Sequence, residues 1–329
     1  MRRALVGRVL VGTVVALTLT VAGCSGDDTA STSSGQPTVV TSTNVWGSVA
    51  EAVAGDKASV TVLFTSGDGD PHEFEPSAAD TAAIGDADVV LLNGGGYDQY
   101  METGKTKSGT TTINAFDVME GDHPESTDHP ESTEHSDDHG SHDAEGHQHG
   151  EVNEHVFYNL PVVAQVANKI ADALATKDAA NAETYRANAA AFGKQIDGLN
   201  SQVAAIKTAH NGTKVAQTEP LAAYLLTQAG LVDVAPAGFT DAVEAGQSPS
   251  AADRAAMEDL LTDHTVKALI YNTQAVDPVT EALLSTAKSA NVAVVKFTET
   301  LPNGVTSYID WQKSQIGSLS AALSSPANG

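Results

Sequence analysis

The chain carries one long helical pattern at residues 179–209, AANAETYRANAAAFGKQIDGLNSQVAAIKTA. Apolar residues recur there every three or four positions, which is the spacing of one face of an α-helix. They are Ala182, Tyr185, Ala189, Phe192, Ile196, Leu199, Val203 and Ile206. At 1.5 Å per residue the helix would be about 46 Å long. Because it lies between two similar halves of the chain, the stretch predicts a rigid helix that joins two lobes. The alternative is an amphipathic helix packed on one domain.

Short strands alternate with helices on both sides of this stretch. The predicted strands are the β-branched or aliphatic runs 38–42, 59–64, 88–93 and 110–113 before it, and 213–217, 231–234, 266–271 and 292–297 after it. The predicted helices lie at 48–53, 77–84, 97–103, 221–228, 250–262 and 279–289, with a further helix opening near 160. This alternation is typical of an α/β architecture with parallel sheets. We therefore predict two lobes, each a roughly four-stranded parallel sheet flanked by helices, joined by the long rigid linking helix.

Length, charge and cysteine content narrow the classes of function. The 329 residues are enough for about two domains, which we place at 38–178 and 210–329 with the linking helix at 179–209. The 42 acidic residues against 17 basic ones give a net charge of -25, which disfavours nucleic acid and favours a cationic ligand. The single cysteine excludes an intrachain disulfide framework and a Cys-based zinc site. A bound metal would need His and carboxylate ligands.

The first residues of the chain have the form of an export sequence. A basic start precedes an apolar run at 9–21, and small residues follow directly before Cys24. This is the pattern of a bacterial signal peptide, and its end resembles a lipobox, in which the cysteine becomes lipidated. A transmembrane anchor is the alternative, but the run is shorter than the roughly 20 residues that a span needs. We expect residues 1–23 to be removed, Cys24 to carry the lipid, and 24–37 to form a flexible tether.

Residues 121–149 break the globular pattern. They hold seven His and nine Asp or Glu with almost no aliphatic residues. Such a segment cannot bury enough apolar surface to become ordered, so we predict a disordered loop. Because imidazole suits zinc, we expect the loop to collect metal weakly at several points; a solvated acidic loop is the alternative. The histidines are His123, His129, His135, His139, His142, His147 and His149.

The four other histidines fall into two classes. His72 and His155 each lie between a predicted strand or loop and the start of a predicted helix. Open α/β sheets bind ligands in such places, outside the carboxyl ends of their strands. His210 and His264 follow the ends of predicted helices in polar surroundings, which indicates surface or capping positions. We therefore expect the first pair to act as ligands and the second pair not to.

The motifs around the first pair resemble the solute-binding proteins of zinc and manganese ABC transporters. The run DPHEFEP at 70–76 is similar to the first-ligand loop of that family, and EHVF at 154–157 is similar to its second-ligand motif, usually Asp-Pro-His-Val-Trp. TEP at 218–220 stands in the place of the third ligand, and FTET at 297–300 in the place of the fourth. The acidic His-rich insertion is characteristic of the zinc-handling members. The resemblance covers residues 38–320.

The resemblance implies a metal site between the lobes, with His72, His155, Glu219 and Glu299 as ligands. Both glutamates directly follow predicted strands of the second half, so they belong at one edge of its sheet. Two neutral imidazoles and two carboxylates would balance the charge of a divalent ion. The His-rich loop favours zinc as that ion, whereas the glutamate at the third position resembles manganese binders.

The family further implies capture of the ion outside the cytoplasm and delivery to a permease and its ATPase. We expect a monomer that is lipid-anchored to the cell membrane, binds no nucleic acid and makes or breaks no bond. A secreted zinc hydrolase is an alternative, but there is no His-Glu-x-x-His motif and four protein ligands would close the site. A manganese or iron receptor of the same family, a surface adhesin and a passive metal buffer are the others.

Overall fold

Two parallel four-stranded sheets form the framework of the protein in a computed structural model that describes residues 35–121 and 153–325. The first sheet contains β1 (Thr38–Thr43), β2 (Ser59–Phe64), β3 (Val89–Leu92) and β4 (Thr111–Asn114), in the order β2-β1-β3-β4. The second contains β5 (Lys214–Gln217), β6 (Val232–Asp233), β7 (Ala268–Asn272) and β8 (Ala293–Phe297), in the order β6-β5-β7-β8. All pairings are parallel. The predicted fold class is confirmed.

Helices cover both sheets. They are α1 (Asn44–Ala54), α2 (Ala78–Asp86), α3 (Gln99–Glu102), α4 (Ala115–Gly121), α5 (Leu160–Lys177), α6 (Ala182–His210), α7 (Ala223–Gln228), α8 (Ala237–Glu244), α9 (Ala251–Thr262), α10 (Pro278–Ser289) and α11 (Tyr308–Ser324). Single 3₁₀ turns lie at Pro71–Glu73, Val156–Tyr158, Ala179–Asn181 and Pro220–Ala222. The central strands β3 and β7 are buried along their whole length, as expected for aliphatic strands covered on both faces. No helix in these described ranges is both long and apolar enough to cross a membrane.

Local sequence sets where several of these helices begin. The Ser77 hydroxyl accepts a hydrogen bond from Asp80 N, and the Asp80 side chain accepts one from Ser77 N, which forms a capping box at the start of α2. Asp277 and Thr280 form the same arrangement at α10, with Pro278 in its first turn. These contacts satisfy backbone N–H groups that have no partner inside the helix.

The long helix α6 forms between the two sheets as predicted. It is preceded by a separate 3₁₀ turn and contains 29 residues. Of the eight apolar positions expected to be buried, seven are, and Ala182 in the first turn is half-buried. The helix packs against α1 and α5, which flank the first sheet, and against α7 and α11, which flank the second. These contacts to both halves fit the role of a linking helix better than packing on one domain.

Three helices escaped prediction, each for a physical reason. α4 and α8 have only seven and eight residues, too few for a clear helical period. α11 is long, but the buried side chains Gln312 and Gln315 interrupt its apolar face. Gln315 donates a hydrogen bond to Tyr158 Oη at 2.6 Å and accepts one from Thr298 N at 3.2 Å. The polar Gln315 side chain is therefore satisfied inside the core, and its presence hides the helical apolar period of α11 in the sequence.

Several predictions concern residues that the structure does not describe. Cys24, the proposed signal peptide and most of the proposed tether lie before residue 35, and the seven clustered histidines lie in 122–152. Gly121, placed at the start of the predicted loop, is the last residue of α4. Pro37, placed at the end of the predicted tether, is buried, and its carbonyl accepts a hydrogen bond from Ser59 N at 2.8 Å. Pro37 therefore belongs to the folded part of the chain and not to a flexible tether.

Candidate metal site

His72 lies in the loop that follows β2. The Asp70 carboxylate accepts a hydrogen bond from His72 N at 2.8 Å and so caps the 3₁₀ turn Pro71–Glu73. The imidazole ring lies edge-on to Tyr97, with 4.7 Å between the ring centroids, and its side chain keeps 24% of its surface exposed. The capped turn therefore fixes a histidine that is still reachable from solvent.

Polar contacts join the His72 loop to the opposite half of the molecule. Gln274 Nε2 donates a hydrogen bond to Gly67 O at 3.1 Å, and Thr300 Oγ1 donates one to Ser66 O at 3.0 Å. Asn303 also binds Asp68. A Cβ atom at Gly67 would come within 2.5 Å of Asn303 N, so this close approach requires glycine. The loop that carries His72 is thereby fixed to the loop that follows β8.

His155 is buried, and Asn153 determines its orientation. The Asn153 side-chain oxygen lies 2.9 Å from His155 N and 3.0 Å from the ring Nδ1. A proton on Nδ1 satisfies this contact and leaves Nε2 as the acceptor, which is the usual arrangement of a metal-binding imidazole. His155 Nε2 is buried with no hydrogen-bond partner among the described residues. Asn153 occupies the place where the resemblance expects Asp, and its amide supplies the same acceptor.

Replacing Asn153 with alanine is expected to weaken cation binding by about 10- to 100-fold, the usual effect of losing the partner that orients a ligand histidine. Competition with a chelator of known affinity would measure the loss. Asn153→Asp keeps the acceptor and is expected to restore most of the affinity. An unchanged affinity in Asn153→Ala would show that the contact does not position His155.

Glu299 lies in the loop after β8 and is held from several sides. Tyr97 Oη donates a hydrogen bond to Glu299 Oε2 at 3.0 Å, and Asn272 Nδ2 donates one to Oε1 at 2.7 Å. Gln274 Oε1 accepts a hydrogen bond from Glu299 N at 2.6 Å. The same carboxylate lies 3.2 Å from His72 Nε2 and 3.9 Å from His155 Nε2. The structure thus brings three of the predicted ligands together.

Glu219 follows β5 and is also buried, with one oxygen, Oε1, lacking a hydrogen-bond partner in the described part of the chain. It is not part of either group of side chains whose ligand atoms lie within 4.8 Å of one another. Those groups are His72, His155 and Glu244, and Asp70, His72 and Glu299. The negative charge of Glu299 nevertheless helps to raise the pKa of Glu219, so the two carboxyl groups interact.

Two carboxyl groups at this site were not predicted from the sequence. Glu244, the last residue of α8, has Oε1 at 3.8 Å from His72 Nε2 and at 3.6 Å from His155 Nε2. Glu154 has Oε1 at 3.8 Å from His72 Nδ1. Glu244 lies one helical turn after Thr240, which is buried, so the two residues share the inward face of α8. This spacing predicts a buried Glu244 only if α8 is first recognised as a helix.

The electrostatics of the site divide the ligands into two classes. Burial lowers the pKa of His155 to about 4. Burial also tends to lower the pKa of His72, but the hydrogen bond and charge of Glu299 outweigh it and raise that pKa well above its ordinary value. Burial, reinforced by the charges of Glu299 and Glu244, raises the pKa of Glu219 well above its ordinary value. Burial tends to raise the pKa of Glu299, yet His72 holds it at about 2.

These shifts describe a site that holds protons in place of a cation. His72 holds its proton more tightly than a free imidazole and is paired with an ionised Glu299, burial favours the neutral form of Glu219, and the His155 ring is neutral at neutral pH. A divalent ion would displace the protons from His72 and Glu219 and find two imidazoles and two carboxylates. This donor set fits zinc, manganese or iron.

The two remaining histidines lie away from this site. His264 is exposed and adopts a positive φ of 53° directly after α9, which is a helix-ending position. His210 is the last residue of α6, with Nε2 3.4 Å from Ser324 Oγ. Neither belongs to a group of candidate ligands among the described residues. Their positions agree with the capping and surface roles predicted for them.

Comparison with protein families settles the relationship that the motifs indicate. Residues 39–322 match the family of zinc-uptake complex component A, periplasmic, known as ZnuA. The protein belongs to the ZnuA family. The family resemblance stated from the motifs is confirmed, because the match covers both sheets, the linking helix and all four predicted ligands.

Two relatives of the chain are named for different metals. The chain is 37% identical over 90 residues to the manganese-binding lipoprotein MntA of Halalkalibacterium halodurans, which covers 27% of this chain and 30% of MntA. It is 27% identical over 198 residues to the iron ABC transporter substrate-binding lipoprotein MtsA of Streptococcus pyogenes, which covers 59% of this chain and 58% of MtsA. The chain thus matches less than two thirds of the length of either relative.

A solved structure supports the fold of this ZnuA-family protein. The laminin-binding protein Lmb of Streptococcus agalactiae aligns with a TM-score of 0.67 at 21% identity, over 88% of this chain and all of Lmb. At this identity the likeness concerns the fold alone. It agrees with two parallel sheets and a long helix between the lobes.

Proposed function

We propose that the protein captures a divalent transition metal, zinc, between its two lobes and delivers it to an ABC permease. His155 carries this proposal, because its Nε2 is buried without a hydrogen-bond partner in the described ranges and faces the same space as His72 and Glu299. An unpaired buried imidazole nitrogen is costly, and a metal ion would satisfy it. Glu219 would complete the ligand set, and the ion would be cargo that leaves the protein unchanged.

The identity of the metal is the finer part of the proposal. Seven histidines in residues 121–149 support zinc, and the family is named for zinc uptake. Glu219 at the third position supports manganese as the second candidate, and so does the name of the manganese-binding relative MntA. The relative MtsA is named for iron. Affinity at a nitrogen and oxygen site rises from manganese to zinc whatever the cell uses. Affinity measurements alone therefore cannot decide between them.

A cellular experiment separates the metals. If zinc is the cargo, zinc starvation should induce the gene, and a deletion strain should recover growth when zinc is added. Induction by manganese starvation, with rescue by manganese, would instead establish the second candidate. The same rescue experiment distinguishes transport from adhesion or passive buffering, because neither alternative predicts a growth defect that metal corrects. Lmb is described as a bifunctional protein with adhesin and metal-transporting activity. Adhesion is therefore a second role to test in this protein.

We further propose the cellular setting. The lipobox-like sequence at Cys24 supports lipid attachment outside the cytoplasm, and relatives such as MtsA are named lipoproteins of ABC transporters. The partners would be a permease and its ATPase, approached by a monomer held on the membrane surface by its lipid. No enzymatic reaction is proposed, since four protein ligands would leave no open position for an activated water.

The His-rich segment has a separable role in this proposal. Deleting residues 122–149 is expected to remove several weak zinc ions per protein and to leave one tightly bound ion, because none of the four proposed ligands lies in the segment. Calorimetric titration would resolve the two classes. A matched control keeps the length and replaces the seven histidines with asparagine, and it should behave like the deletion. Loss of the tight ion would refute this division.

A further inference from the structure

A buried carboxylate that the four-ligand set does not use lies between the two histidines. Glu244 Oε1 is 3.8 Å from His72 Nε2 and 3.6 Å from His155 Nε2, and the side chain is only 7% exposed. Its carboxyl shares a hydrogen bond with the carboxyl of Glu154, which also faces His72. A buried carboxylate in such a setting needs a proton or a cation to be stable.

Glu244 also borders the space through which an ion would arrive. A cavity of about 410 Å³ is lined by Asp70, His72, Glu73, Tyr97 and Glu244, among others. The other proposed ligands do not line it and are almost fully buried. An ion entering through this cavity therefore meets one imidazole and the Glu244 carboxylate before it meets the rest of the site. The acidic wall would also attract it.

Charge balance indicates that Glu244 is not needed once the ion is seated. Two neutral imidazoles with ionised Glu219 and Glu299 carry a charge of -2, which a divalent ion neutralises. A third ionised carboxylate would leave a buried excess of negative charge, which is unfavourable. Glu244 would then act only while the ion is in transit.

We propose that Glu244, with His72 and His155, forms a loading site that receives the cation from this cavity and passes it inward to Glu219 and Glu299. The inference rests on the proposed function, since it concerns the path of the same ion. His72 and His155 belong to both the loading site and the final site. When the ion moves inward, it would exchange the Glu244 carboxylate for those of Glu219 and Glu299 while both imidazoles stay bound. The path out of the site is the same one in reverse.

Rapid-mixing kinetics with Zn²⁺ test this. Glu244→Gln keeps the shape of the side chain but cannot supply an anionic oxygen to the arriving ion. It is expected to slow association and dissociation alike by about tenfold, because it would raise the barrier between two states that are otherwise unchanged. The equilibrium dissociation constant should change little. Asp241→Asn makes the same chemical change on the exposed side of the same helix and should leave both rates unchanged. Glu244→Asp keeps the carboxyl group and should recover part of the rate.

The other outcomes are distinct. Unchanged rates in Glu244→Gln would overturn the loading site while leaving the four-ligand site intact. Faster dissociation with a weaker equilibrium affinity would also overturn it, because Glu244 would then be a permanent ligand. If the unmodified protein bound no ion, the proposed function would fail first and the loading site with it.

Discussion

Replacing His72 with alanine is expected to weaken cation binding by more than about a hundredfold, since even residues that only orient a ligand cost 10- to 100-fold when removed. His72 Nε2 is 3.2 Å from Glu299 Oε2 and belongs to both groups of candidate ligands. Its removal leaves the carboxylates without the imidazole that opposes their charge. Because the side chain is partly exposed and lies in a surface loop, the fold should persist. Calorimetric titration with zinc would measure both affinity and stoichiometry.

The control for this change is His210→Ala. It removes the same side chain from the end of α6, where the imidazole contacts Ser324 and none of the proposed ligands. We expect it to bind one tight ion with unchanged affinity. Equal affinities in the two variants would place the tight site elsewhere.

Cation affinity is expected to rise with pH, because a metal ion must displace protons that the metal-free site holds and each displaced proton contributes a factor of about ten per pH unit. His72 and Glu219 have pKa values raised well above their ordinary values, so in the absence of metal both keep a proton to a higher pH than they would in water. A metal ion must displace both protons. His155, with a pKa of about 4, and Glu299, with a pKa of about 2, are already deprotonated and contribute nothing.

The direction and limits of this dependence follow from the same pKa values. Affinity falls as pH falls, and it falls more steeply below about pH 4, where His155 also becomes protonated. The slope should flatten once the pH exceeds the raised values for His72 and Glu219. Calorimetry in buffers of different ionisation enthalpy would count the released protons, and we expect a net release on binding. Binding without proton release would contradict the protonation states assigned to the metal-free site.

Much of the fold could be predicted because each strand is a short aliphatic run between turn residues. The eight predicted strands agree with the observed ones to within two residues at each end. The periodic apolar face of 179–209 located α6 as well. The histidines could also be placed, since His72 and His155 stand at the junctions where a parallel sheet presents ligands.

The rest of the site depends on contacts between segments distant in sequence. Glu244 ends a short helix with no motif of its own, and its position becomes meaningful only when α8 packs beside the histidines. Asn153 orients His155, but its amide also donates a hydrogen bond to Pro220 O at 2.7 Å, in the opposite half of the chain. Tyr97 reaches Glu299 across 202 positions of sequence. No local pattern could have shown these pairings.

The claim that one cation lies between the lobes is tested most directly by anomalous X-ray diffraction from crystals grown with zinc. We predict one strong peak, about 2.0–2.2 Å from a ring nitrogen of His72, from His155 Nε2 and from carboxylate oxygens of Glu219 and Glu299. Glu244 should lie outside the coordination sphere of the seated ion. A peak held by other residues, or no peak between the two sheets, would contradict the account.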